Sequence, residues 1–472
     1  MTADLVVAAN RGPAGDETTE DGRCVGRPAG GGLANVLASA LAGRTAVWLS
    51  TSIDGTRIRR QNTGGICHRE VDLEEHQRNR HYQNVANRVL WFLLHRLAHV
   101  AELDGFDFGF RADWRAYTEV NARFAAVCDE EAAPGATVLT QDYHLALVPA
   151  LLRARRPDVR IAHFTACPWV DPEYFSILPW AARADLLDGM LSADLLGFTV
   201  PRWCANFVAC CAAAGYPVET APHAVRASDG RWVPVRAFPV GVDAKALRVQ
   251  AAADEVEQRC ATLRRRVGGS RLIVRVERLD PAKNILRGLA GYELLLAGDS
   301  GLHGTLTHVV HAYPSRSAMP EYRRYAAAVE ERVDRINRRF GTAVWTPCLL
   351  QSTDDPADGL AALRLADVIV VNPVLDGMNL VAKEGPIVAE RDPVLILSCM
   401  AGAVDELGMA SLVVNPFDIA ELAEAMAVAL TLDPADRAER AAVLRDAAAA
   451  LPPQAWLAAQ LQELAATTAG TQ

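Results

Sequence analysis

The sequence predicts an α/β protein built of two lobes, and three observations carry that prediction. Short apolar, β-branched runs alternate with longer Ala/Leu-rich stretches of helical period, the pattern of parallel βαβ units. The runs are apolar on both faces, as strands covered by helices on each side must be. At 472 residues, half of them hydrophobic, the chain is also too long for one core of ordinary size.

Taken in order, LVVAAN, TAVWLS, TVLTQ, RIAHFTA and LLGFTV read as a first strand series, and LIVRV, THVVHA, DVIVVNP, VLILS and SLVVNP as a second. Between them VRAFPVGVDAKAL (235–247) carries Pro239 and Gly241 where one series stops and the next begins, so the boundary is placed there. The Ala-rich tail from Asp433 reads as helices broken at Pro452 and Pro453. The expected domains are 1–240, 241–451 and a terminal helix, 452–472. In open sheets of this kind ligands gather at the carboxyl ends of the strands, and two such lobes facing a central cleft can bring two substrates together.

A formal charge of −9 and a pI near 5.7 argue against a protein that coats nucleic acid or an anionic membrane, because such binding needs a dense basic face. The start, MTADLVVAANRGP, lacks a basic, apolar leader, and no apolar run approaches the roughly 20 residues that span a bilayer. A cytoplasmic protein is expected. Ten cysteines occur without paired CxxC spacing, which gives neither a zinc site nor a disulfide framework. They read as small core residues, with Cys167 singled out because it follows a strand.

The segment LIVRVERLDPAKNILRG (272–288) places Arg278 and Lys283 at the end of a strand that reads as buried. Two cations are costly there unless an anion meets them. Asn10, Arg11 and Gly12 follow the first strand, and Gly30, Gly31 and Gly32 precede a helix, where free backbone N–H groups can approach a phosphate. The spacing is not a dinucleotide fingerprint, and a triple glycine alone is more often a flexible loop. After DVIVVNP come Asp376, Gly377, Met378, Asn379 and Leu380, then a helix carrying Glu384 two turns in. That arrangement suits phosphates and ribose hydroxyls. The competing reading makes Asp376 a helix cap and Glu384 a solvent-facing residue.

NRGP with GGGLA, YQNVANRVLW, QDYHL, VERLDPAKN, PSR, INRRFG, WTP, LDGMNLVAKE, AGAVDEL and VVNPFD occur in an order and spacing that resemble trehalose-6-phosphate synthases, glycosyltransferases of family 20, over nearly the whole chain. VERLDPAKN and LDGMNLVAKE are the specific parts. The resemblance implies a GT-B fold of two Rossmann-like domains, the C-terminal helix crossing back to the first. It also implies retaining transfer from a nucleotide diphosphate sugar to a phosphorylated sugar, with no cofactor and no required metal. By match, Arg278 and Lys283 hold the donor diphosphate and Asp376 the transferred ring. Gly31, Asn379 and Leu380 hold phosphates through their backbone, and Glu384 holds ribose. On the acceptor side Arg11, Tyr82 and Arg316 match phosphate-holding residues, Trp91 lines that pocket, and Asp142 binds acceptor hydroxyls. Without the resemblance, Tyr82 and Trp91 read as core aromatics.

In RIAHFTACPWVDPEYFSILP the family's active-site histidine falls on Ala166. His163, three residues earlier on a strand, points to the opposite face and is a poor substitute. Thr51 stands where the family has a tryptophan, Leu375 replaces an arginine, and DPAKN replaces DYSKG. The combination HFTxxPW, LDGMLSAD and DPAKN resembles an actinobacterial branch that includes validamycin-type pseudo-glycosyltransferases, which implies a cyclitol donor and an amino-cyclitol phosphate acceptor as an alternative to sugars. A further alternative, resting on Ala166, is a catalytically impaired nucleotide- or sugar-phosphate-binding protein. The resemblance leaves room for a homo-oligomer and expects neither nucleic acid nor membrane as partner.

Overall fold

The computed structural model describes residues 2–13, 16–18, 24–26, 32–51, 61–63, 65–100 and 105–469. The chain divides into two compact units: residues 1–240 with 453–472, and residues 241–452.

The first unit holds strands β1 (Ala3–Ala8), β2 (Ala46–Thr51), β3 (Gln61–Thr63), β4 (Ile66–Val71), β5 (Ala132–Gln141), β6 (Arg160–Thr165), β7 (Leu195–Phe198), β8 (Val218–Thr220), β9 (His223–Arg226) and β10 (Trp232–Ala237). They form one sheet in the order β8-β9-β10-β7-β6-β5-β1-β2-β4-β3. From β10 to β4 all neighbours run parallel, and the short strands at both edges pair antiparallel. Read from β4, the parallel strands follow the doubly wound order, so the sheet's topological switch point lies between β1 and β5. Val6, Val7, Trp48, Val138, Ile161 and Leu196 are buried, as strands covered on both faces require. The C-terminal helix, Pro453–Ala469, packs on the helix Gly32–Ala40 and on β6 and β7. There Trp456 meets Phe164 edge-on at 5.0 Å, and Arg236 donates to Glu463 at 2.8 Å.

The second unit repeats the plan with β11 (Arg271–Arg278), β12 (Leu306–Tyr313), β13 (Cys348–Gln351), β14 (Val368–Val371), β15 (Val394–Ser398) and β16 (Leu412–Val414). The order is β13-β12-β11-β14-β15-β16, parallel throughout. This is the strand order of dinucleotide-binding folds, with the switch point between β11 and β14. Ile273, Val310, Val370 and Ile396 from the strands meet Leu289, Ile336 and Met426 from the helices in its core.

Strand β4, ICHREV, and the strands 218–226 were not among the expected runs. Only two of the six side chains of β4 are buried and the rest are part-buried, and its sequence lacks the continuous apolar run that marks the central strands. Among the described residues no helix is long and apolar enough to cross a membrane, and the nine cysteines from Cys67 to Cys399 are free thiols.

Candidate active site

In the second unit the candidate residues gather at the switch point. Arg278 is the last residue of β11, and the next turn, Pro281–Lys283, carries Lys283 back toward the segment that follows β14. Lys283 Nζ donates to Asp376 Oδ2 at 2.5 Å, both side chains being largely buried. The anion that meets Lys283 in this structure is therefore Asp376. Asn379 Nδ2 donates to the same oxygen at 3.1 Å. Asp376 is clipped by its backbone, its N–H donating to Met400 O and its carbonyl accepting from Gly402 N–H. Gly402 allows this approach, because a Cβ there would lie 1.9 Å from Gly377 O.

The turn that bears Lys283 is braced from inside. Arg275, wholly buried in β11, donates to Asn372 Oδ1 at 2.9 Å and to the carbonyls of Lys283 and Ile285 at 3.1 and 3.3 Å, and pairs with Glu277. Asn284, in the left-handed region at φ 60°, donates to Asn372 O and Pro416 O. Sequence reasoning missed Arg275 and Asn284. An arginine inside an apolar strand was the available signal, because a buried guanidinium must be satisfied on all sides.

Leu380 is the N-cap residue of the helix Val381–Val388, whose cap has no side-chain hydrogen bond, and Asn379 before it has φ 78°. Asp376 is thus not the helix cap, which removes that competing reading. Glu384 lies in the first turn rather than two turns in, since the helix begins only after Leu380. It is half-buried rather than solvent-facing, with no hydrogen-bond partner among the described residues. Burial pushes its carboxyl up to about 7. Tyr313, at the end of β12, is close enough to Arg278, Lys283 and Glu384 to feel all three charges.

Arg316 also belongs to this unit, following β12 with φ 46°. Its Nη1 donates to Asp280 Oδ2 at 3.0 Å and to the Tyr322 hydroxyl at 2.5 Å. Arg11, Tyr82, Trp91 and Asp142 belong to the first unit.

In that unit Arg11 follows β1 and Asp142 follows β5, the two strands flanking the switch point. Arg11 Nη2 donates to the Tyr82 hydroxyl at 3.1 Å. Gly12 has no room for a side chain, since a Cβ would sit 2.6 Å from His68 Nε2. Tyr82 lies in the first turn and Trp91 at the end of the π-wound helical stretch Arg80–Trp91, a conformation common at functional sites. Tyr82 stacks on His144 at 5.8 Å. Trp91 is only 7% exposed and packs on His95 and Tyr143, so it is chiefly a core aromatic.

Asp142 has φ 65°. Burial pushes its carboxyl up to about 6, although the Cys167 thiol and the backbone dipoles at Tyr143, Ala166 and Cys167 pull the other way. Its Oδ1 is buried without a hydrogen-bond partner among the described residues, and Cys167 Sγ lies 3.9 Å from Oδ2. Ala166 follows β6 and is half-buried beside this carboxylate. His163 stays in the core, 1% exposed, with Nδ1 sharing a hydrogen bond with Thr140 Oγ1 at 2.8 Å. Thr51 donates to Asn10 O at 2.7 Å, which ties β2 to the loop before Arg11. Gly31 lies outside the described residues.

Of the five non-glycine residues with positive φ among the described residues, three (Asp142, Arg316 and Asn379) are candidate site residues. Such conformations cost roughly 1–3 kcal/mol each and persist where the surroundings enforce them. Among the described residues no group of three or more His, Cys, Asp or Glu side chains is gathered for a metal ion.

Doubly wound sheets with cations and carboxylates at their switch points define a class of protein that handles phosphorylated ligands there. The chain belongs to glycosyltransferase family 20, whose family model matches residues 7–466. It is similar to a trehalose-6-phosphate synthase of Mycobacterium sp. (strain KMS), 35% identical over 99% of this chain and 96% of that one. It is 32% identical to the UDP-forming α,α-trehalose-phosphate synthase A of Dictyostelium discoideum, of whose longer chain it spans 59%. Among solved structures it resembles the UDP-forming α,α-trehalose-phosphate synthase of Burkholderia xenovorans in complex with glucose-6-phosphate, with TM-score 0.88, 28% identity and coverage of 98% and 99% of the two chains. It also resembles the E. coli trehalose-6-phosphate structure bound with UDP-2-fluoro glucose, with TM-score 0.86, 29% identity and 98% coverage of each chain. The fold is GT-B, two Rossmann-like domains, and the protein is a glycosyltransferase.

Proposed function

We propose that the chain transfers a glucosyl group, with retained anomeric configuration, from a nucleoside-diphosphate glucose to glucose-6-phosphate. The observation that carries this reading is the ion pair Lys283–Asp376 at the switch point beside Arg278. The relatives' UDP-forming chemistry and the bound molecules of the similar structures support the substrate classes. A binding-only reading has no support among these comparisons.

In this reading the donor diphosphate takes Lys283 from Asp376, and Arg278 supplies the second charge. Both cations stabilise the diphosphate most as it departs, when its charge is largest, which is what lowers the barrier. Asp376, freed of its partner, accepts hydrogen bonds from the hydroxyls of the transferred ring, while Glu384 accepts from ribose and the backbone at Asn379 and Leu380 faces phosphate. Arg11, Tyr82 and Arg316 hold the acceptor phosphate, with Trp91 packed behind them, and Asp142 accepts from acceptor hydroxyls. The bond from the anomeric carbon to the diphosphate breaks on the face where the bond to the acceptor oxygen forms. The acceptor's proton passes to the departing phosphate oxygen. The cytoplasm is the compartment proposed, with domains 1–240 and 241–451 carrying the two substrate sites and 452–472 completing the first.

Nucleotide release from UDP-, GDP- and ADP-glucose, with and without glucose-6-phosphate, tests the reading. Release that requires the acceptor is expected. Stabilisation by UDP without release from any of the three donors overturns glucosyl transfer and points to a cyclitol donor. Ala166→His sharpens the result: restored glucosyl transfer in a silent protein marks the alanine as the cause, since one polar contact to the transition state is worth about 2–4 kcal/mol.

A further inference from the structure

Between Arg278 and Lys283 lies Asp280, an acidic residue with no solvent exposure. An isolated carboxylate so placed would be prohibitively costly. Its two oxygens are divided between different tasks. Oδ2 accepts from Arg316 Nη1 at 3.0 Å and from the Tyr322 hydroxyl at 3.2 Å, and lies 4.0 Å from Arg278 Nη2. Oδ1 accepts from Ala282 N–H at 3.0 Å and so caps the turn Pro281–Lys283.

We propose that Asp280 is a positioning residue of this site, a buried carboxylate that helps to set Arg278, Arg316 and, through the turn it caps, Lys283 for two separate phosphoryl ligands. The inference rests on the functional reading above and goes beyond it, because Asp280 touches neither substrate. Two guanidiniums close together repel each other. One shared buried carboxylate, bonded to Arg316 and in ionic contact with Arg278, offsets that repulsion and leaves the three groups with a net positive charge for an incoming phosphate. Lys283 is governed differently, through the capped turn. Tyr322, 1% exposed, accepts from Arg316 and donates to the carboxylate, so its hydroxyl bears most directly on the acceptor's arginine.

The test uses the full chain with Asp280→Asn and Tyr322→Phe. UDP and glucose-6-phosphate are titrated separately by calorimetry, and kcat, both KM values and Tm are recorded. Asp280→Asn keeps an oxygen for the cap but loses the charge. It is expected to weaken both ligands by about tenfold or more, as charge-assisted contacts lose their aim. Tyr322→Phe is expected to weaken glucose-6-phosphate by about threefold to tenfold while UDP affinity stays within about twofold. A variant pair that lowers Tm yet leaves both affinities unchanged overturns the positioning role, as does equal weakening of both ligands in Tyr322→Phe. If Asp280→Asn fails to fold, the split in Tyr322→Phe decides the matter alone. A wild-type protein that binds neither ligand overturns the functional reading itself, whereas wild-type binding matched by both variants overturns only this inference.

Discussion

In the second unit Lys283 is already paired with Asp376 and Arg316 with Asp280, whereas in the first Arg11 leans on the neutral Tyr82 phenol and Asp142 buries one oxygen with no hydrogen-bond partner among the described residues. Both sites stand at the switch point of the same kind of sheet, so the difference comes from side chains, not topology. A site of paired charges needs its ligand to exchange partners. A site built on one buried carboxylate is set by whether that group is ionised.

The largest effect should come from the paired side. Arg278→Ala is expected to lower kcat/KM by about 100-fold to 1,000-fold, near 3–4 kcal/mol of transition-state stabilisation; steady-state rates and UDP calorimetry check it. Unchanged affinity and rate would remove this unit from the donor reading.

Next comes Asp142. Its carboxyl is raised to about 6, so it protonates as the pH falls through that value and loses its capacity to accept from a hydroxyl. The KM for glucose-6-phosphate should therefore rise below about pH 6, beyond what the acceptor's own titration causes. Asp142→Asn should raise that KM by about tenfold at pH 8 and differ little from wild type at pH 5. A variant whose deficit is the same at both values would show that the charge of Asp142 is not what the acceptor reads.

Glu384 gives a smaller test with a defined sign. Burial places its folded carboxyl near 7, above the usual glutamate value of 4.5. Between those values the folded state binds more protons than the unfolded, so stability falls as the pH rises through the window. Glu384→Gln should raise Tm relative to wild type at pH 8 and not at pH 4. In the wild type, UDP binding near pH 6.5 should release protons, seen as a dependence of calorimetric heat on the buffer's ionisation enthalpy.

The smallest expected change is from Tyr82→Phe, which removes one neutral hydroxyl from Arg11. A rise in the glucose-6-phosphate KM of about threefold to tenfold, with the donor KM unchanged, fits a net hydrogen-bond contribution near 1 kcal/mol. An effect on the donor KM instead would break the assignment of Arg11 and Tyr82 to the acceptor.

The central strands could be read from the sequence because each is a run of buried apolar residues, LVVAAN and VIVV being plain cases. β4 could not, because four of its six side chains are only part-buried and polar residues interrupt it, and edge strands such as 218–220 are short and exposed. Individual site residues were visible as charges at strand ends, Arg278 and Lys283 above all. Their partnerships were not: Lys283 and Asp376 are 93 positions apart, and only the sheet order brings β11 beside β14. Asp280 escaped notice for a related reason. An acidic residue among basic ones reads as local charge balance, and only its complete burial shows that it organises its neighbours.

The chain passes from the first unit to the second at 240–241 and returns at 452–453, and within the second unit its two ends touch, Gly241 lying so close to Leu451 that a Cβ would be 1.6 Å from the latter's carbonyl oxygen. In genetic terms residues 241–452 are a cassette inserted into a host. A fragment ending at residue 240 would lack the helix that shields Phe164 and carries Trp456, leaving an oily scar where that helix belongs. Splicing 240 to 453 through a short Gly-rich bridge would instead keep that helix with the sheet it covers.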